Sequence, residues 1–526
     1  MSRPFPLQNQ FNAGMKRDKP RNRMSPNSAW NLVDIIPDYD SPARERGGWA
    51  HVNSASAISA VTGTASYVRG GIFAVFSPTA GEDPALLCLD EDGLLYEIAI
   101  STGVPTSIGS ARTIAQNPVF HGGTAASAAT AVYTGLVIIP DSTLAAVPMK
   151  YDGSALTALN GTPPKAKFAT VYKDYLVLAH GYVGSTLYPN RAWYSPPGDP
   201  DCAVSGSVTA WDTTDSWLDC SLPIIGVGST KNVHLFYHKG QITRVRGNTP
   251  PPDEDFVVDD PWQKIGLLDP FSITEYGDMI YWCAPEGIFR SDGVTVDNIT
   301  LKGGMLKYWY DLIPDDATGY NFATGVQRER LIVNVMNGTT FVDAFMIDLN
   351  SYAFTRLSNL DAVAFWSGLY NSADELFFGR RNSTHVGRAD TMFQVGNSTY
   401  KNDAGTAATA NPATALAVAS TIETPFYEIG RPGVKTLKAL HVGYTLTDFA
   451  SDNPTCAVSV VRAPDDSSYE SIGTLSENTG YARPRIAIGG RAWGVGFKFV
   501  RANAGDLLGY DLSVDAIQQQ ESKRLS

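Results

Sequence analysis

Cysteine is scarce in this chain. The 526 residues hold five (Cys88, Cys202, Cys220, Cys283 and Cys456), an odd number with no C-x-x-C spacing. That excludes a dense disulfide framework or a thiolate zinc knuckle, and it points to free, mostly buried thiols in a chain made in a reducing cytoplasm. Cys202 and Cys220 are the one pair that could bridge across a loop. No stretch approaches the ~20 apolar residues of a membrane span, and the N-terminus lacks the apolar core of a signal peptide, so the expectation is a soluble chain not exported by the ordinary route. Cations are outnumbered: 41 Lys and Arg stand against 53 Asp and Glu, a net charge of −12. A large duplex-binding face is thereby disfavoured, because such faces neutralise phosphates with many Lys and Arg. Long helical periodicity is nearly absent as well.

Catalytic patterns are also missing. There is no G-x-S-x-G elbow, no phosphate-binding glycine loop and no repeated S-x-D-x-G-x-x-W box. The seven histidines are spread singly. His234 and His238 stand four apart, a metal-pair spacing on a helix, but they lie in a strand pattern and read as structural. Asp90, Glu91 and Asp92 before Gly93 lack the remaining ligands of a calcium loop and read as a solvated turn. Asp253, Glu254, Asp255, Asp259 and Asp260 sit among prolines and read as a surface loop rather than a glycosidase pair, which needs a defined separation and a sugar cleft. The expectation is a protein with no catalytic, cofactor or metal site: not an enzyme.

What the sequence does have is short apolar runs separated by tight turns, supplied by 48 Gly and 32 Pro. Residues 271–299, FSITEYGDMIYWCAPEGIFRSDGVTVDNI, are the clearest unit. Met279 to Cys283 and Ile288 to Arg290 read as strands, with turns at Glu286-Gly287 and Asp292-Gly293, and Asp-Gly is a strong hairpin signal. Similar units recur at the spacing of four-stranded propeller blades. They fall at 63–112 (turn Asp92-Gly93), 117–161 (Asp152-Gly153), 166–220, 221–263 (Lys239-Gly240), 271–310, a sixth containing Asn337-Gly338, and a seventh that lacks a strand. Gly48 to Ser54 has strand character and can fill that gap, closing the ring. The fold class expected is all-β: a seven-bladed β-propeller followed by a C-terminal β-sandwich. The boundaries are an extended N-terminal arm at 1–47, the propeller at 48–397, a linker at 398–421 and a sandwich of seven short strands at 422–517.

The arm is the one basic segment. Arg3, Lys16, Arg17, Lys19, Arg21 and Arg23 face a single acid, Asp18, within the first 25 residues. A basic arm on an acidic body reads as a disordered tail, a nucleic-acid contact, or a strap on a neighbouring subunit that orders only on assembly. Ordering costs ~1–2 kcal/mol per residue, so apolar anchors such as Phe5, Phe11, Met15 and Trp30 must be buried too. The candidate inter-subunit contacts are Arg17, Lys19, Arg21, Arg23, Phe11 and Trp30.

Three sets of residues carry a resemblance. YKDYLVLAHG at 172–181 with PNRAWYSPPGDP at 189–200, MIYWCAPEGIFRSDG at 279–293, and AFMIDLNSYAFTRL at 344–357 resemble blades of tailed-bacteriophage propeller proteins, and FNAGMKRDKPRNRMSPNSAWNLVDIIPD is similar to their entry segment. The resemblance covers most of residues 10–395 and implies a structural tail component of a virion, nozzle-like or a minor tail protein. It implies partners among tail and adaptor proteins and copies of the chain itself, in a homo-oligomeric ring, usually of six, through which DNA passes without sequence-specific binding. The added sandwich departs from the family pattern and suits docking or host contact. The alternative reading is a carbohydrate-binding, lectin-like propeller using Trp193, Trp211 and Trp217 of one blade.

Overall fold

The computed structural model describes residues 4–7, 11–25, 27–37, 44–46, 48–53, 67–76, 84–122, 135–202, 208–252, 255–314, 317–370, 373–381, 383, 385–389, 392, 402–403, 416–418, 420–429, 434–448, 455–464, 466–476, 478–501 and 505–518.

Seven blades of four antiparallel strands follow one another along the chain, six of them separate four-stranded sheets and one the end of a ten-stranded sheet. Blade 1 is Val68–Ala74, Ala85–Asp90, Leu94–Ala99 and Val104–Ser110; blade 2 is Val119–His121, Leu136–Ile139, Met149–Tyr151 and Leu156–Ala158. Blade 3 is Lys165–Tyr172, Tyr175–Val183, Thr186–Tyr194 and Trp217–Asp219; blade 4 is Gly226–Ser229, Val233–Tyr237, Ile242–Arg246 and Val257–Gln263. Blade 5 is Thr274–Tyr276, Met279–Ala284, Gly287–Ser291 and Val296–Asn298; blade 6 is Tyr320–Gln327, Arg330–Asn337, Thr340–Asp348 and Phe354–Arg356. Blade 7 takes Ala362–Tyr370, Ala373–Arg380 and Val386–Arg388, and its fourth strand is Ala50–His51 from the N-terminal region.

Second strands carry much of the apolar core because neighbouring blades cover both of their faces; Ala85–Asp90 and Val233–Tyr237 are buried at every position. First strands pack against one another around the axis. The approach there is close enough to require glycine: a Cβ on Gly368 would sit 2.5 Å from the Phe73 side chain, and one on Gly71 2.5 Å from the Trp366 ring. The Asp-Gly turns are present, but the turn at Asp292-Gly293 is wider than a two-residue hairpin. The Asp292 carboxylate accepts from the N–H groups of Val294 (2.8 Å) and Thr295 (2.7 Å), so its side chain, and not only the glycine, shapes the turn. The turn after Asp90 is not solvated at its base. Asp90 is buried and accepts from Asp92 N, Leu94 N and the Tyr96 hydroxyl.

The ring is closed by pairing Ala50 with Arg388 and His51 with Gly387. Side chains reinforce this short ladder. Buried Arg380 donates to Asp361 at 2.8 Å, lies 4.3 Å over the Trp49 ring and meets His51 Nε2 at 3.0 Å, while His51 stacks on His385 at 4.6 Å. Burial, then the Arg380 charge, then His385 push the His51 pKa down to about 2; burial and Arg380 take His385 to about 4. Both rings are therefore held neutral.

Two blade connections cross the axis. From the connection between blades 1 and 2, the Gln116 amide donates to Val227 O (2.6 Å) in blade 4, and the Asn117 amide donates to Phe365 O (2.7 Å) in blade 7. A 3-10 turn, Pro270–Ser272, inserts before blade 5, with Asp269 capping Phe271 N at 2.9 Å and accepting from Phe322 N at 3.2 Å. Side chains of these connections therefore reach across the centre of the propeller.

At blade 6 the outer strand does not end the sheet. Asn31–Val33 lies beside it, parallel at the Val33–Arg356 rung, and pairs antiparallel with Thr421–Glu423, which continues into Gly494–Arg501, Thr455–Val461 and Glu470–Ser476. Blade and sandwich share one ten-stranded sheet, of which Tyr427–Glu428 is an off-path member. The second sandwich sheet is built on Lys435–Asp448 and Gly505–Gln518, each 14 residues, with Pro4–Pro6 at one edge. Two of the sandwich strands, expected to be short, are therefore long. The N-terminal region is not a separate arm: it supplies strands to the sandwich, to the seam with blade 6 and to blade 7. Most of the expected linker at 398–421 lies outside the described residues; within it, Asn402–Asp403 pairs with Leu416–Ala417.

Candidate assembly interface

The N-terminal basic segment runs along the seam between blade 6 and the sandwich. Gly14 has φ +67°, and a Cβ there would lie 2.6 Å from Phe354 N, so only glycine lets the chain pass this close to the blade edge. Met15 then bonds to Phe354 O at 2.8 Å, and the N–H groups of Arg17 and Asp18 both donate to Gly304 O. The Asp18 carboxylate accepts from Lys307 N (3.0 Å) in the first turn of the helix Leu306–Leu312. After Pro20, the 3-10 turn Arg21–Arg23 turns the chain against the sandwich: Arg21 Nε donates to Thr424 O (2.8 Å), and Phe426 N donates to Arg21 O (3.1 Å).

These contacts relocate most of the candidate contact residues. Phe11 is fully buried in the sandwich core with Leu32, Ile422, Leu440 and Phe497. Arg21 is 4% exposed, its guanidinium 5.4 Å over the Tyr469 ring. Trp30 is half-buried under Arg17, whose guanidinium lies 4.2 Å from its ring and 5.5 Å from that of Tyr308. Surfaces that Phe11 and Arg21 were expected to offer a neighbour are occupied within this chain, because their apolar and planar faces find partners there. Lys19 and Arg23 alone of the six are exposed.

The seam holds a cleft of about 510 Å³ lined by Arg17, Arg21, Trp30, Glu423, Tyr469 and Lys498, among others. Glu423 is held as carboxylate: although burial raises its pKa, Lys498 (3.1 Å), the Tyr469 hydroxyl (2.9 Å) and Arg21 bring the net shift below the ordinary value. The Arg17 guanidinium has no hydrogen-bond acceptor among the described residues, and burial lowers its pKa. Chemically the cleft can pair with a carboxylate; nothing in it is placed to break a bond. Sequence reasoning missed Glu423, Tyr469 and Lys498, which lie some 400 residues from the arm and carry no local motif.

No family model matches the chain, and no curated protein matches it. Among solved structures, it is similar to BBS1N in the crystal structure of BBS1N in complex with ARL6DN soaked with mercury, at 11% identity and TM-score 0.40 over 67% of this chain and 99% of that one. The lead-soaked crystal of the same complex gives 12% and 0.37 over 67% and 99%, and the tricorn protease 11% and 0.30 over 68% and 33%. Likeness at these TM-scores carries no functional argument, so the propeller assignment here stands on the strand pairing above.

The remaining sequence candidates fall as follows. Trp193 and Trp211 are buried between blades 2 and 3, and Arg191 lies 3.4 Å over the Trp217 ring, so the three do not form an open aromatic groove. His234 is buried against Tyr172 (4.6 Å) and the Tyr194 hydroxyl (3.1 Å), and His238 bonds to Pro223 O and Thr243 Oγ1. Asp255, Asp259 and Asp260 serve a local turn, Arg244, and the Ser221–Gln241–Thr243 group respectively. Asp253 and Glu254 lie outside the described residues. All five cysteines carry free thiols.

Proposed function

We propose that this chain is a structural component of a phage virion tail, a nozzle-like or minor tail protein, and not an enzyme. The observation that carries the reading is the continuous ten-stranded sheet: one N-terminal strand makes blade 6 and the sandwich a single mechanical unit. A closed propeller hides its strand edges, so such a unit can serve as a wall or adaptor without chemistry. The family-like run at 189–200 also has a structural role in blade 3. The Ser195 hydroxyl accepts from Leu176 N (3.0 Å), and Gly198 N donates to Asp174 O (2.7 Å), pinning the turn after the strand.

Because Gln116 and Asn117 cross the propeller axis, DNA would pass through a ring of copies, six in the resembled family, and not through the propeller. The sandwich, joined through Asn31–Val33 to the last strand of blade 6, would serve docking or host contact. The lectin-like alternative has no aromatic platform at Trp193, Trp211 and Trp217 to rest on. Mass spectrometry of gradient-purified particles from the host carrying this gene should find the chain in a fixed ratio to the major capsid protein after a high-salt wash. Its absence from intact, infectious particles would overturn the reading.

A further inference from the structure

A second cleft, of about 310 Å³, opens at the mouth of the propeller where the first strands begin. Its walls come from around the ring: Arg69 of blade 1, Lys167 and Phe168 of blade 3, Asn321 of blade 6, and Asp269 and Phe271 of the 3-10 insertion. The crossing side chains Gln116 and Asn117 belong to the connection that also supplies Ala115 to this wall.

Two half-buried cations share this space. Arg69 is anchored by Nε to Ile114 O at 2.8 Å and by Nη1 to the Tyr67 hydroxyl at 3.4 Å, with its guanidinium 5.4 Å over Phe271. The Lys167 ammonium has no hydrogen-bond acceptor among the described residues; it lies 5.5 Å from the Phe168 ring. Burial, then the Arg69 charge, lower its pKa. Asp269 lines the same cleft: its carboxylate accepts from Phe271 N and Phe322 N and partly offsets the Arg69 charge, while the Lys167 ammonium has no ion-pair partner among the described residues. Placing like charges together out of water is unfavourable unless an anion joins them. The neighbouring phenyl faces add an apolar wall that a bare inorganic ion would leave uncovered.

We propose that this axial cleft binds a small organic acid, its carboxylate between Lys167 and Arg69 and its apolar body against Phe168 and Phe271. The site is independent of the virion reading: it would bind its ligand in the isolated chain whatever assembly the chain joins. Benzoate is the probe, with benzamide as the neutral shape control and phosphate as charge without an apolar body, each titrated into the full-length protein by calorimetry. Saturable benzoate binding is expected, with Lys167→Gln weakening it about tenfold or more, as for loss of a charge-assisted contact, and Lys167→Arg retaining it. Lys167→Gln should also melt no lower than the parent without ligand, because the ammonium has no protein acceptor to lose. Equal binding of benzamide, tighter binding of phosphate, benzoate binding unchanged by Lys167→Gln, or no benzoate binding at all would each overturn the proposal. So would a Lys167→Gln protein that melts well below the parent.

Discussion

The N-terminal region adds one strand to the outer edge of blade 7 and another to the outer edge of blade 6, and the two additions are held differently. On blade 7, two paired residues close the ring, and side chains reinforce them: Arg380, Asp361, Trp49, His51 and His385 interlock around the closing strand. On blade 6, the added strand meets the blade at one parallel rung but meets the sandwich at three antiparallel rungs. A single net hydrogen bond is worth about 1 kcal/mol, so neither ladder suffices alone. One ion pair joins the two regions: Asp34, just after the blade 6 strand, accepts from Arg46, which precedes the closing strand, at 2.6 Å with both side chains buried. Closure is therefore a matter of side-chain chemistry, whereas the seam depends on backbone continuity with the sandwich.

Removing residues 1–53 takes away both additions and should have the largest effect, insoluble protein without a cooperative melt. A soluble truncation with a sharp calorimetric transition would show that the remaining three strands of blade 7 close the ring unaided. Single substitutions test the side chains of the closure. Arg380→Ala leaves Asp361 buried without its cation and should cost about 3–5 kcal/mol; Asp34→Ala takes the carboxylate from Arg46 and from Ser358 N and should also destabilise, by less, because Arg46 keeps its bond to Ser358 O. The first should lower the propeller transition in denaturant unfolding. The second should lower the same transition, because Asp34 and Arg46 both hold Ser358 between blades 6 and 7. An unchanged transition for Asp34→Ala would remove this ion pair from the account of closure.

Acid should act on the closure. His51 and His385 titrate near 2 and 4 in the folded chain but near 6.5 when unfolded. Below pH 6.5 the unfolded state binds protons that the folded state refuses, so stability is fully present above that pH and falls as pH drops through it. The loss is up to about 1.4 kcal/mol per pH unit for each histidine. Buried His234, with its pKa pushed down to about 3 by desolvation, adds a similar slope away from the closure. Melting temperatures between pH 7 and 5 should therefore fall, and His51→Gln should make that fall shallower. An unchanged slope in this variant would remove His51 from the account.

Much of the ring was legible because its signals are local. Asp-Gly and Asn-Gly turns between apolar runs mark the blades, and the shortness of the seventh unit together with the strand character around Ala50 anticipated the closure. The seam was not legible. Arg17 and Arg21 read as loose charges because their partners, Trp30 aside, come from elsewhere: Tyr308 and Gly304 from the helical insertion, Thr424 and Tyr469 from the sandwich. Likewise Arg69 and Lys167 sit almost 100 residues apart in unremarkable strands, and only closure of the ring brings them to one mouth. Composition could count the cations but could not say which of them were desolvated.

That distinction sharpens the smallest expected effect on stability. With Arg17 and Arg21 built into the seam, replacing all the arm cations together would confuse folding with assembly, whereas Lys19 and Arg23 are exposed. Surface substitutions of this kind usually change stability by no more than about 0.5 kcal/mol. Lys19→Ser with Arg23→Ser should therefore leave the melting temperature almost unaltered, while Arg21→Ser, which strips a buried donor from Thr424 O, should lower it clearly. If the pair meets an acidic neighbour in the particle, the double variant should be folded yet depleted from purified particles, and the depletion should deepen with salt in the wash because exposed charge pairs are screened. Incorporation equal to that of the parent at every salt concentration would reduce both residues to solvated charges and leave the seam itself as the only work done by this segment.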